Sequence, residues 1–261
     1  MRTFAFSLIA LLSIADPARP QGSATPSGQA SATPSGRATE LPMFRPVLIG
    51  RGPSALINRI DEQDLARKGQ KDALVMFLCM VKKDGEVEWS ATYGATPDSD
   101  FLKQELQRRI SPAVNPKVIP AVHDHQPVDA IYYGTVTFRV VNGKPRMRIF
   151  SNQEAGELEK EHDFIGPQPF FGDGSGFTGL HYPPMESGRI QVDGKVELKM
   201  KIDATGNLQD INVVSEEPPL LGFGDAALKD FKDAKFIPAF RDGKPVECEV
   251  TLPVFYKAAG I

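Results

Sequence analysis

The residues of this chain whose types and spacing could do chemistry are few. His123-Asp124-His125 sets two imidazoles and a carboxylate side by side, the donor types that bind zinc. Two neighbouring histidines on so short a stretch supply only part of a coordination shell, and Asp favours turns for backbone reasons of its own. The triplet is expected to be a turn. Gly172, Gly174 and Gly176 imitate a phosphate-cradling loop, but no strand leads in and no helix leads out. Ser175 lacks the glycine two positions earlier that a nucleophile elbow requires. Phe164, Phe170, Phe171 and Phe177 could make an aromatic ligand platform, but are expected instead to pin a connector to its neighbour. Cys79 lies inside an unbroken apolar run and Cys248 on the apolar phase of its strand, so both read as separate buried thiols. No His-Glu-x-x-His and no Cys-x-x-Cys occurs. The expectation is a protein that is not an enzyme and holds no metal or cofactor.

What remains is a binding strand. From Phe236 to Tyr256 an aromatic-Ile-Pro-Ala step leads into a turn at Asp242-Gly243, after which Val246, Cys248, Val250 and Leu252 alternate with Glu247, Glu249 and Thr251. Such alternation predicts a half-buried strand, and a strand placed last in a small antiparallel unit can present a backbone edge to another chain.

Composition narrows the partner. With 261 residues, 41% hydrophobic, 24% charged and a net charge of -3, the chain has no run of basic residues to hold nucleic acid or anionic lipid. A single Arg2 precedes the apolar run Phe4 to Ala15, which as a helix would reach only ~18 Å against ~30 Å of hydrocarbon. Residues 1–20 are therefore expected to be a cleaved secretory signal, placing the protein in the periplasm; the alternative is an uncleaved inner-membrane anchor. Residues 21–42 are rich in Ser, Thr, Pro, Gly and Ala, with SATPSG occurring twice, and read as a disordered linker.

Order is expected from Met43. A helix is predicted around Ser54 to Arg67, a strand covered on both faces at Ala73 to Val81, a turn at Asp84-Gly85 and a return strand to Tyr93. A helix capped by Asp98 or Asp100 should run to Ile110 with Phe101, Leu102, Leu106 and Ile110 inward. Ile131 to Val141 reads as a strand, and Asn142-Gly143 as the turn of a hairpin to Phe150. Residues 151–180 form a connector, acidic at Glu154 to Glu161 and a loop from Phe164 to Gly179. Lys195 to Ile202, Asn207 to Ser215, a helix capped by Asp225 and the final strand complete a second unit.

The two units resemble each other. Val75, Phe77, Cys79, Val81 and Gly85 precede Val196, Leu198, Met200, Ile202 and Gly206 by a constant shift, while Ile119-Pro120-Ala121, Asp124 and Pro127-Val128 match Ile237-Pro238-Ala239, Asp242 and Pro245-Val246 at a shift three residues smaller. Duplication of a hairpin, helix and strand unit accounts for this pattern.

The second copy, from about Tyr182 to Lys257, resembles the TonB C-terminal domain. The residues carrying the resemblance are Tyr182-Pro183, Gly194-Lys195-Val196, Asp203 to Gly206, Val213-Val214-Ser215, Ala226-Ala227-Leu228, Phe236 to Ala239 and Asp242 to Val246. The first copy looks like a degenerate relative, with Gln126 where the pattern has Lys. The resemblance implies an α+β fold of two tandem small units, each a three- to four-stranded antiparallel sheet with one or two packed helices, at residues 43–150 and 181–261. It also implies that the last strand receives an extended segment of an outer-membrane or periplasmic protein by strand addition. Carried over by position, the partner-binding edge is Lys244, Val246, Glu247, Cys248, Glu249, Val250, Thr251, Leu252, Val254 and Phe255. Two alternatives stay open: a TonB-type energy transducer whose N-terminus remains anchored beside inner-membrane motor proteins, and a structural protein or homodimer whose edges pair with themselves.

Overall fold

The computed structural model describes residues 40–50, 55–114, 117–160, 163–177, 179–184 and 192–258. The expected signal, and the linker as far as residue 39, lie outside the described residues.

The chain begins with β1 (Phe44–Arg45), a 3-10 turn over Leu56–Arg59 and α1 (Glu62–Arg67). The single helix expected at Ser54 to Arg67 is thus broken, because the Asp61 carboxylate caps α1 by accepting from the Gln63 and Asp64 amides at 2.9 and 3.0 Å. There follow β2 (Ala73–Val81), β3 (Val87–Ala95), α2 (Asp100–Ile110), β4 (Ala121–His123), β5 (Gln126–Val141), β6 (Lys144–Phe150) and α3 (Ala155–Leu158). After β7 (Phe164–Ile165) and β8 (Gln168–Phe171) come β9 (Gly194–Ile202), β10 (Leu208–Glu217), α4 (Phe223–Phe231), β11 (Phe236–Ile237), β12 (Ala239–Arg241), β13 (Lys244–Val246) and β14 (Cys248–Tyr256).

The fold is α+β, with antiparallel pairing throughout the named strands. One sheet runs β1-β4-β5-β2-β3, with β6 and β8 also on β5 and β11 on β8; a second runs β10-β9-β14, and a third β13-β12-β7. The first sheet is larger than the three or four strands expected because the long β5 is paired by β4, β8 and β6 in turn along one side, with β1 added on β4 and β11 on β8. The loop expected at Phe164 to Gly179 is corrected accordingly: its first half is two short strands, and its aromatics are pinned down, Phe170 at 1% exposure and Phe177 packed on Phe231 at 4.9 Å. The described residues from 40 to 258 form one compact unit.

The same order of elements occurs twice. β9 starts 121 positions after β2 (Ala73 to Gly194), and the buried helix positions Leu102, Leu106 and Ile110 correspond at that shift to Phe223, Ala227 and Phe231. Each helix packs this triad onto one face of its own sheet. Phe101, expected inward, is 44% exposed, since it lies off that stripe. Neither helix uses the cap expected of it. The Leu102 amide donates to Gln70 at 2.8 Å, and the Phe223 and Gly224 amides to Glu216 at 3.2 Å, so non-local side chains satisfy both N-termini. Hairpin closure is shared as well: Gly85 and Gly206 have φ of +86° and +83°, and a Cβ there would fall 2.2 Å from the Val118 carbonyl oxygen and 2.0 Å from that of Phe236.

Candidate partner-binding edge

The final strand forms because its alternation matches a one-sided burial. Val250, Leu252, Val254 and Tyr256 are at most 4% exposed and pack with Phe223, Ala227 and Phe231 of α4. β14 pairs along its whole length with β9, from Cys248 opposite Ile202 to Tyr256 opposite Gly194. β10 occupies the other side of β9, so β14 is the outer strand of its sheet.

The expected edge residues divide into groups. Lys244 and Val246 are not on this strand: they belong to β13, opposite Arg241 and Ala239, because the chain breaks at Glu247 and changes sheet. Glu247 and Glu249 lie on the solvent face, paired with Lys201 at 3.0 Å and Lys199 at 2.9 Å. Val250, Leu252 and Val254 are core. Cys248 is half-buried and Cys79 fully buried; both are free thiols, and burial pushes each up to about 12. Phe255 stands 6.0 Å from Tyr93, ring to ring.

Thr251 shows how the edge is directed. Its amide donates to Glu154 Oε1 at 2.9 Å, and its carbonyl accepts from Gln153 Nε2 at 2.7 Å. Since backbone direction alternates along a strand, the outward groups belong to Glu249, Thr251, Pro253 and Phe255, and those of Val250 bond β9. Pro253 has no N–H to offer, and its carbonyl accepts from the Tyr133 hydroxyl at 3.2 Å. The middle of the edge is therefore occupied from within the chain. Just beyond, Glu157 makes two bonds to Arg241 at 2.8 and 2.9 Å, and the guanidinium holds its carboxyl down to about 2. Gln153, Glu154, Glu157 and Tyr133 escape a reading of the sequence, being about a hundred positions from their partners. The one local signal was Pro253, which an edge strand tolerates and a central strand does not.

At its Phe255 end the edge borders an apolar groove of about 320 Å³ lined by Leu78, Met80, Trp89, Ile131, Tyr133, Phe171, Phe177, Leu180, Pro253 and Phe255. The histidine triplet takes a different part. Asp124 and His125 adopt positive φ as the turn between β4 and β5, and His123 stacks on Phe170 at 4.3 Å, its imidazole held below the usual range by burial. Among the described residues no group of three His, Cys, Asp or Glu side chains is arranged to hold a metal ion.

Residues 178–258, which contain β9, β10, α4 and β14, match the family model described as Gram-negative bacterial TonB protein C-terminal. This segment belongs to the TonB C-terminal family. Searches among curated proteins and among solved structures returned no match to the chain. Membership sets the TonB C-terminal segment among interaction domains of the Gram-negative envelope, which meet outer-membrane receptors and other proteins. Among the described residues no helix is long and apolar enough to cross a membrane.

Proposed function

We propose that the protein is a non-enzymatic periplasmic interaction module which takes an extended segment of an envelope partner, such as an outer-membrane receptor, by strand addition to the outer edge of β14. The observation that carries this reading is the position of β14 at the margin of the three-stranded sheet of the TonB C-terminal domain, with the backbone of Glu249, Thr251 and Phe255 directed away from β9. Backbone pairing supplies affinity in this mode, and pockets for alternate side chains supply choice. The groove beside Phe255 suits an apolar side chain on such a segment. In this reading residues 43–150 are a degenerate second TonB-like copy, serving as the platform against which the edge is set.

The test uses the full chain carrying a photo-crosslinking residue in place of exposed Glu249, in a Gram-negative envelope extract, with and without Thr251→Pro. Proline at 251 removes an outward N–H while leaving the bonds to β9 intact. A defined adduct that disappears in Thr251→Pro is expected. Absence of an adduct, or one indifferent to the substitution, counts against strand addition here.

A structural role is the second reading, favoured by the use of Thr251 and Pro253 within the chain. It predicts no adduct and a mass that reports either a monomer or a fixed oligomer independent of any partner.

A further inference from the structure

We propose that the segment Gln153–Glu157 is a releasable plug, which closes the β14 edge in the free protein and leaves when a partner strand pairs there. The inference rests on the strand-addition reading and adds to it a closed state. Gln153 and Glu154 offer Thr251 one donor and one acceptor, the pair of groups that a neighbouring strand would present. Glu157 then fastens the segment to β12 through its two bonds to Arg241.

The plug is built to exchange. Its helix α3 is four residues long and buries none of them. It meets the edge through polar side chains, whose bonds trade for water or for another backbone at little net change. Its upstream end is fixed: the Asn152 carbonyl accepts from Thr135 at 2.8 Å, its amide group donates to the Phe164 carbonyl at 3.2 Å, and Asn152 is 1% exposed. The segment therefore has a firm root at Asn152 and is held beyond it by polar side chains, Gln153 and Glu154 on Thr251 and Glu157 on Arg241. An arriving strand would supply Thr251 with backbone groups in place of side chains, and gain the outward groups of Glu249 and Phe255 besides.

Native-state hydrogen exchange on the full chain tests this. The Thr251 amide is expected to exchange by local opening, ahead of the β9 amides, and Glu157→Gln should speed it on the order of tenfold while leaving β9 unchanged. Arg241→Lys, which keeps the charge but loses the fork, should do the same. Exchange at Thr251 that tracks β9 in the native protein, or variants that shift both together, would overturn the plug. The two ideas fail separately. A plug that never opens, alongside an adduct that depends on Thr251, removes the plug alone. A plug that opens, alongside an adduct indifferent to Thr251, removes strand addition.

Discussion

β2 and β9 occupy corresponding places in the two halves, each central, each nine residues long, each packed on one face by its own helix. Their other faces differ. On β2, Leu78 is 1% exposed, and Tyr133 beside it on β5 is 5% exposed; both join the core that contains α4 and β14. The matched positions on β9 and β14 are Lys199 and Thr251, and that face carries the solvent pairs Lys199–Glu249 and Lys201–Glu247. The first half therefore lies between two layers, whereas the second has one face in water. This is why Ala73 to Val81 is apolar without a break and Lys195 to Ile202 alternates. The outer edges differ in parallel. β5 is covered by β6 over seven residue pairs and by β8, through backbone pairing. Among the described residues, the outer edge of β14 is met by side chains, at Thr251 and Pro253. One outer edge is filled by backbone pairing and the other is met by side chains.

The contrast can be broken most severely at Leu78. Leu78→Lys places the matched residue of the second half on a buried face, leaving an unpaired charge, and should cost about 3–5 kcal/mol by urea denaturation. A loss under about 1 kcal/mol would mean that this face is wetter than its burial indicates.

The glycine turns sharpen the opposite point, where the halves are alike. Gly85→Ala and Gly206→Ala should each cost about 2–4 kcal/mol, since both combine a positive φ with a carbonyl in the path of the new Cβ. Similar losses in both would show one closure used twice; a cost confined to one would dissolve the parallel.

Glu157 gives a smaller effect that depends on pH. Its carboxyl is lowered in the folded state, from 4.5 to about 2, chiefly by hydrogen bonding to Arg241, so its stabilisation is complete above about pH 4.5 and is lost as pH falls toward 2. Relative to Glu157→Gln, the native chain should be more stable by about 1–2 kcal/mol at pH 7, and the gap should close in acid. Thermal melts of both proteins at several pH values between 2 and 7 check the sign; a gap that widens in acid would be contrary.

The smallest change is Lys199→Leu. An exposed cross-strand pair contributes about 0–1 kcal/mol, so stability should move by less than that, in contrast with the reverse exchange at Leu78. A large loss would show that the charged face of β9 is not merely solvated.

Much of the fold was written in local pattern. The alternation from Lys195 and from Val246, the turns at Gly85, Gly206 and Asp242-Gly243, and the helical spacing of Leu102, Leu106 and Ile110 follow from backbone periodicity and left-handed turn positions, which neighbouring residues encode. Helix capping was legible only as a local habit, and failed where Gln70 and Glu216 arrived from elsewhere. The candidate edge divides the same way. That β14 is a strand with Val250 inward could be read off its residues; that Lys244 and Val246 leave for another sheet could not, because nothing local marks the change of partner at Glu247.

The sequence by itself determined the long strands β2, β9 and β14 and which of their faces are apolar, because both depend on residues within a few positions of one another, whereas the short β7 and β8 carry no such pattern. Only the tertiary structure decided whether the last edge is open. The groups that meet Thr251 and Pro253 come from Gln153, Glu154 and Tyr133, roughly a hundred positions away, and a backbone N–H carries no mark in the sequence of what will cover it.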